Sequence, residues 1–347
     1  MTRNYYAPAV LMTSVVRACT TIVRTRSRLS AGLVAATAIV LSACSPPPPP
    51  RATPADPSGT FATTAQVLEA VREAESINDL PGTVGFLTNA DWPMAAGEFD
   101  CHSVDDLPAN IVDPKRTVFG ECASGDEHGK KLMVTFGDSR AGMWGAALED
   151  IAAKNDYKLR TFHMGNCPPL DLHFFEYEKQ KPDVDCYQFR KSAIAAIRNL
   201  HPDLVIVTSF STHMLEDLTQ PTADQWEKGW ESTLKELTQP GTRLVMMGDI
   251  PDWEKDDPHC LAAHAVSVQK CSVPKAEGTP SGNLDAERAA ASATGTLYVP
   301  TLQWVCATRC EPVIADTRVY QDRFHFTNSY TKYLTGAVGE AMQPALS

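Results

Sequence analysis

The sequence predicts an α/β protein, a three-layer α/β/α sandwich around a central, mostly parallel sheet. From Lys130 onward, short runs rich in Val, Ile, Leu and Met alternate with amphipathic stretches of helical period. Strands of that composition, separated by helices, belong to a parallel sheet covered on both faces. Polar turn residues cluster after the runs, at Gly137-Asp138-Ser139, Met164-Gly165-Asn166, Thr208 to Ser211 and Gly248-Asp249. Ligands of such sheets bind beyond the carboxyl ends of the strands. Every strand must end in polar residues in any case, so the clusters alone do not make a site.

The elements follow in order. A helical prelude runs from about Thr63 to Asn89 and contains AQVLEAVREAES. KLMVTFG reads as a strand, AGMWGAALEDIAAKN as an amphipathic helix and YKLRTFHMG as the next strand. CYQFRKSAIAAIRNLH is a helix that stops before Pro202, because the residue preceding a proline is pushed out of helical geometry. DLVIVTSF is a strand, and TADQWEKGWESTLKELTQ is a helix capped by Thr222. TRLVMMGDI is a further strand, followed by a loop holding Cys260 and Cys271. LDAERAAASAT is helical, GTLYVPTLQWV extended, and the last helix begins near Thr327 or Asn328. Trp226 and Trp230 lie four apart on one helix, the usual packing pattern. Trp144 and Trp304 read as core or site wall, and any of the four tryptophans is a candidate to stack on a sugar ring.

The first 44 residues read as a leader rather than as fold. Arg24, Arg26 and Arg28 precede an apolar stretch from Leu33 to Leu41, then Ser42, Ala43 and Cys44. A basic start, a short apolar core and small residues make a secretory signal, and the core is too short to span a bilayer. Leu41-Ser-Ala-Cys44 also resembles a bacterial lipobox, in which the cysteine is lipidated and becomes the mature N-terminus. A plain signal cleaved near Ala43 is the alternative, and Met12 is an alternative start. Residues 45–62 include Pro46 to Pro50, Pro54 and Pro57. Consecutive prolines extend by about 3.1 Å per residue, which suits a stalk between a membrane and a domain at 63–347.

The chain has 347 residues, ten of them cysteine, and a formal net charge of −11. That charge argues against a general nucleic-acid binder. Cys19 and Cys44 fall in the leader, and the remaining cysteines form local couples: Cys101 with Cys122, Cys167 with Cys186, Cys260 with Cys271, Cys306 with Cys310. An even number in an exported chain suggests disulfides, and each couple brackets a loop, although spacing alone leaves connectivity open. Cys306 and Cys310 are so close that a bridge between them is the one most open to strain. Zinc is the rival reading. No couple has C-x-x-C spacing, and His259 and His264 are not spaced like a zinc-protease pair, so neither a metal nor a cofactor is expected.

One pairing of motifs carries chemistry. A serine hydroxyl is a weak nucleophile that needs a base within hydrogen-bond reach and a partner that orients the base. Ser139 stands at a strand-to-helix turn, where backbone N–H groups can stabilise an oxyanion. Asp322 and His325, three apart in QDRFHF just before the last helix, supply a carboxylate and an imidazole on one loop. Gly-Asp-Ser alone is weak, since Asp and Ser are common helix caps. With a later Asp-x-x-His, it outlines a triad.

These motifs resemble the SGNH (GDSL-like) hydrolase superfamily, and more closely the SGNH domain attached to multi-pass membrane acyltransferases that O-acylate bacterial surface glycans. The resemblance spans roughly residues 100 to 343. It takes in Cys101 and Cys122 before the Gly-Asp-Ser block, Cys167-Pro-Pro169 with Cys186, HPDLVIV, GDIP followed by HCLAAH and Cys271, WVCATRCEPVI, and VYQDRFHFTNSYTKYL. It implies a flavodoxin-like sheet, with Ser139 as nucleophile, His325 as base and Asp322 as its orienting carboxylate. Two departures matter. Related domains carry histidine after the nucleophile, where this chain has Arg140, read here slightly in favour of a solvated helix residue over one contacting an acidic or sugar group. The superfamily also places an oxyanion-hole asparagine in a Gly-x-Asn-Asp block, where this chain reads VTSFSTHM. Ser139 and Gly165 N–H groups, helped by Asn166, then make the oxyanion hole. Ser209, Ser211, Thr212 or His213 are replacements for the lost donor, although His213 reads more readily as a surface histidine.

The resemblance thus implies an exported serine esterase or O-acyltransferase acting on acyl groups of envelope glycans or glycolipids, tethered to the membrane by lipid on Cys44. The missing membrane-spanning part suggests a free esterase or a partner of a separate membrane acyltransferase. A membrane-tethered, non-catalytic glycan-binding module of the same fold is the alternative, motivated by Arg140 and the altered oxyanion block.

Overall fold

The computed structural model describes residues 61–85, 124–177, 180–252, 257–279 and 283–347. The leader with Cys44, nearly all of the proline-rich segment and the Cys101 and Cys122 couple lie outside the described residues.

Six strands make the central sheet: β1 Ser124–Gly125, β2 Lys131–Gly137, β3 Tyr157–His163, β4 Leu204–Thr208, β5 Arg243–Met247 and β6 Leu297–Val299. They lie in the order β1-β3-β2-β4-β5-β6. Only the β1 edge pairs antiparallel; the other pairings are parallel. The five parallel strands alone have the flavodoxin-like order, as expected. The chain leaves β2 for β3 on one side and comes back on the other side for β4. A crevice therefore opens at the carboxyl ends of β2 and β4, the place where such sheets bind ligands.

Side-chain alternation along each strand feeds two cores. Met133, Leu159, Leu204, Ile206 and Val245 face one layer, with Val67 and Val71 of helix α1 (Thr64–Ala74) and Val338 and Met342 near the C-terminus. Val134, Phe136, Phe162, Val205, Val207 and Met246 face the other. That second layer holds helices α4 (Val184–Leu200), α5 (Ala223–Leu237) and α6 (Asn283–Thr294). On α5, Thr222 caps the start in a reciprocal capping box with Gln225, and Trp226, Trp230, Leu234 and Leu237 form the buried stripe.

Three readings shift. The helical prelude ends at Ala74. The predicted helix after β2 breaks at Trp144 into α2 (Ser139–Met143) and α3 (Gly145–Lys154). The extended stretch after α6 is a strand only to Val299. Pro300 has no N–H for the ladder, and a 3₁₀ turn follows at Leu302–Trp304. The final helix starts at Asn328 as expected, with Thr327 as cap, and is interrupted at Leu334 to give α7 (Asn328–Tyr333) and α8 (Thr335–Leu346). Trp144, Trp226, Trp230 and Trp304 are all fully buried, so none is available to stack on a sugar. The disulfides Cys167–Cys186, Cys260–Cys271 and Cys306–Cys310 all form. The last, expected to be most doubtful, closes across a bridge between its own two residues.

Candidate active site

The nucleophile turn exists because β2 stops hard against β4. A Cβ at Gly137 would stand 2.2 Å from the Thr208 carbonyl oxygen, so only glycine lets the two strand ends meet. The next residue, Asp138, is fully buried and caps α2 by accepting from the Arg140 N–H at 2.9 Å. Ser139 then opens the helix. On the neighbouring strand, Gly137 pairs across to the buried His163, and the following turn puts Asn166 at φ 55°. Asparagine tolerates that left-handed geometry better than most residues. The Cys167–Cys186 bridge fastens the same turn to α4.

Asp322 and His325 come from a loop folded back on itself. Tyr320 and Phe326 pair across it, and the Gln321 N–H donates to the His325 carbonyl at 2.8 Å. Phe326 packs edge-on against Trp144, so the loop is seated on the segment that follows the nucleophile. The result is a continuous chain of contacts. His325 Nε2 is 2.9 Å from Ser139 Oγ, and His325 Nδ1 is 2.9 Å from Asp322 Oδ2. Asp322 also accepts the N–H groups of Phe324 and His325. Burial alone would raise the Asp322 carboxyl. The hydrogen bond and charge of His325 and the two N–H donors outweigh it and hold the carboxyl below its usual range.

The three residues predicted as a triad are thus brought together. A cavity of about 80 Å³ opens beside them, lined by Asp138, Ser139, Arg140, Asn166, Phe210, His213, Phe324 and His325. Asn166, expected near the oxyanion, is on this wall. Gly165 is in the same turn but not among the lining residues. Among the described residues no cluster of His, Cys, Asp or Glu is arranged to hold a metal ion.

Two expectations are corrected. Arg140 is not a solvated helix residue: its side chain is buried and its Nε donates to Asp249 Oδ1 at 2.7 Å. The guanidinium also lies 5.1 Å from the Phe210 ring centre. His213 is not on the surface. Its side chain is 11 % exposed, set between the rings of Phe174 and Phe210, with Nε2 3.5 Å from Asp138 Oδ2.

Sequence reasoning missed the buried charges behind this second wall. Asp249, at the end of β5, takes Arg140 on one oxygen and the N–H and hydroxyl of Ser211 on the other, at 2.8 and 2.9 Å. Asp138 Oδ2 takes the Ser209 hydroxyl and the Phe210 N–H. Burial pushes the Asp249 carboxyl up despite Arg140 and its other donors. Behind it, burial pushes the carboxyl of Glu287 of α6 well above its ordinary value, with Asp249 and Asp138 adding to the effect. The signal was present: Glu287 shares the helical stripe of Leu284, Ala290 and Ala291, an acid where the pattern calls for an apolar residue.

A family model described as "SGNH domain (fused to AT3 domains)" matches residues 100–340. The chain belongs to the SGNH domain family. Among solved structures, this SGNH domain is similar to the periplasmic domain of a Salmonella ser. Paratyphi A lipopolysaccharide acetyltransferase. Identity is 18%, the TM-score is 0.52, and the match covers 71% of this chain and 92% of that one. A putative acylhydrolase from Bacteroides fragilis matches at 16% identity and TM-score 0.41, covering 68% of this chain and 99% of that one. A GDSL-like lipase from Bacteroides thetaiotaomicron matches at 16% and 0.42, covering 67% and 98%. No curated protein sequence matches. Membership of the SGNH domain family supports a function of esterase or acyltransferase type.

Proposed function

We propose that this SGNH domain is an exported serine esterase or O-acyltransferase that works through an acyl-serine at Ser139, on acyl groups of envelope glycans or glycolipids. The observation that carries the reading is the unbroken contact from Ser139 through His325 to Asp322 at the mouth of one small cavity. In the first half-reaction Ser139 Oγ bonds to the acyl carbon while its proton passes to His325 Nε2. The carbonyl electron pair moves onto oxygen, in reach of the Ser139 N–H and Asn166. Collapse restores the carbonyl, breaks the bond to the leaving oxygen and returns the proton to that oxygen. In the second half-reaction the oxygen of water or of a sugar hydroxyl attacks the acyl-serine, its proton goes to His325, and Ser139 regains a proton as it leaves. Asp322 holds the Nδ1–H and balances the transient imidazolium.

Export and lipid anchoring on Cys44 complete the reading, with a separate membrane acyltransferase as the source of acyl groups. The signal-like leader and three disulfides, bonds that persist in oxidising compartments, support it. The deciding experiment is covalent labelling by a fluorophosphonate. Wild-type protein should label and turn over a short-chain aryl ester. Ser139→Ala should do neither while keeping its fold, and wild-type turnover by that variant, or no labelling of wild type, would sink the reading. A glycan-binding module without catalysis would also fail to label. Cys44→Ala should leave the membrane fraction; if wild-type protein is already soluble after export, the anchor is wrong.

A further inference from the structure

Ser139 is flanked by two histidine–aspartate pairs, and the acyl-transfer chemistry above uses only one. The second is His213 with Asp138. Its surroundings are built with unusual care for a loop. The Ser209 hydroxyl, the Phe210 N–H and the Arg140 N–H are all spent on Asp138, while the N–H and hydroxyl of Ser211 are spent on Asp249. Asn283 of α6 donates to the Ser211 carbonyl at 2.6 Å. These bonds fix the loop after β4 and commit Ser209, the Phe210 N–H and the N–H and hydroxyl of Ser211 to the protein interior.

The imidazole itself is divided. Nε2 is buried beside Asp138 at 3.5 Å, longer than a well-formed hydrogen bond but facing that carboxylate. Asp138 is held ionised: burial would raise its carboxyl, but His213 and the N–H groups of Arg140 and Phe210 more than offset that. A carboxylate at Nε2 favours the tautomer with its hydrogen there, so Nδ1 of the neutral ring keeps its lone pair. Nδ1 makes no hydrogen bond among the described residues, and the ring lines the cavity shared with Ser139 and His325.

Resting on the acyl-serine reading, we propose that His213 is a specificity-determining residue for the acyl acceptor: its Nδ1 accepts a hydrogen bond from a second hydroxyl, next to the one that attacks. The acceptor class is therefore a polyol with neighbouring hydroxyls, such as a sugar, and not a simple alcohol. The attacking oxygen forms the bond to the acyl carbon, the carbon–Oγ bond breaks, and the attacking proton travels through His325 to Ser139 Oγ. His213 exchanges no proton and only orients the acceptor.

The test is a competition. Full-length protein is given p-nitrophenyl acetate as donor, with methyl glucoside and ethanol together as acceptors, and the two acetylated products are measured. Wild type should favour the glucoside. His213→Phe, which keeps the ring between Phe174 and Phe210 and removes its nitrogens, should cut the glucoside-to-ethanol ratio by about tenfold, the worth of one hydrogen bond. His213→Gln, with an oxygen that can accept, should restore part of it, and it carries the test if the phenylalanine variant does not fold. The proposal is overturned if wild type shows no preference, if His213→Phe leaves the ratio unmoved, or if His213→Gln behaves like His213→Phe. Fluorophosphonate labelling of the same preparations separates the two levels. Wild type that labels at Ser139 but shows no His213-dependent ratio loses only this inference, whereas wild type that does not label loses the acyl-serine reading and this one with it.

Discussion

On one wall of the cavity, Asp322 and His325 sit three residues apart on a loop closed by its own backbone. On the other, Asp138, Arg140, Ser211, Asp249 and Glu287 arrive from four separate elements and meet only after folding. The electrostatics differ in the same way. Asp322 is partly open to water, well supplied with donors and held low. Asp249 is fully buried and raised even with Arg140 on it, and Glu287 behind it is raised well above its ordinary value. A local motif fixes protonation with a few short bonds. A long-range cluster must instead offset a large desolvation cost, and here one ion pair, Arg140 with Asp249, is joined by neutral hydroxyl and N–H donors on Asp249 and Asp138.

The sharpest way to break this comparison is to remove the base. His325→Ala should lower acyl-ester turnover by about 10⁴-fold or more near neutral pH. Asp322→Asn should cost as much or less, because the carboxylate orients the ring and stabilises its charge without taking the proton. Activity should fall on the acid side in a single step as the Asp322–His325 pair takes up a proton, a property of the pair and of neither residue alone. If His325→Ala keeps most activity while Asp322→Asn loses it, the roles are misassigned. His213 is then the first place to look for the base, and His163 the second.

Next in size is the other wall. Arg140→Met should destabilise the fold by about 3–5 kcal/mol, as expected when one partner of a buried ion pair is removed and the other left behind. Urea unfolding measures it. A solvated helix residue, the reading the sequence favoured, would cost less than about 0.5 kcal/mol. The size of this effect therefore decides whether the wall is held by charge or merely decorated with it.

What the sequence disclosed follows the same division. The Thr222 cap, the start of the last helix near Thr327 and Asn328, and the Asp-x-x-His loop are written within a few neighbouring residues, and each appears where expected. The three described disulfides also joined near neighbours. Arg140 and His213 were misread because their partners are remote. The helix after β2 gives no hint that Asp249 waits beneath it, and only the misplaced acid at Glu287 betrays a polar core. The break at Trp144 is of this kind too. Its ring packs edge-on to Trp304 and Phe326, contacts that no window of local sequence contains.

The smallest effect concerns Glu311, a buried acid far from either wall in its chemistry. One of its oxygens accepts from the Gln269 amide at 3.2 Å, and that same amide also serves the carbonyls of Ala74 and Ile77 beside the end of α1. The other oxygen is buried with no hydrogen-bond partner among the described residues. Burial pushes its carboxyl up from an ordinary 4.5 to about 7, against the pull of Gln269 and Arg309. Below the ordinary value Glu311 is protonated in the folded and unfolded chains alike and no penalty exists. Above about pH 7 it is ionised in both, and only the folded chain bears the cost of a buried charge. The stability it permits at low pH is therefore lost as pH rises through that window, the opposite of what Asp322 does. Glu311→Gln removes the titration but keeps the shape and the partner for Gln269. The variant should gain on wild type by about 2 kcal/mol between pH 5 and pH 8, measured as the difference of urea midpoints multiplied by the common slope. A gap that stays constant across that range would mean that Glu311 keeps an ordinary carboxylate in the fold, with water or a positive group reaching its second oxygen.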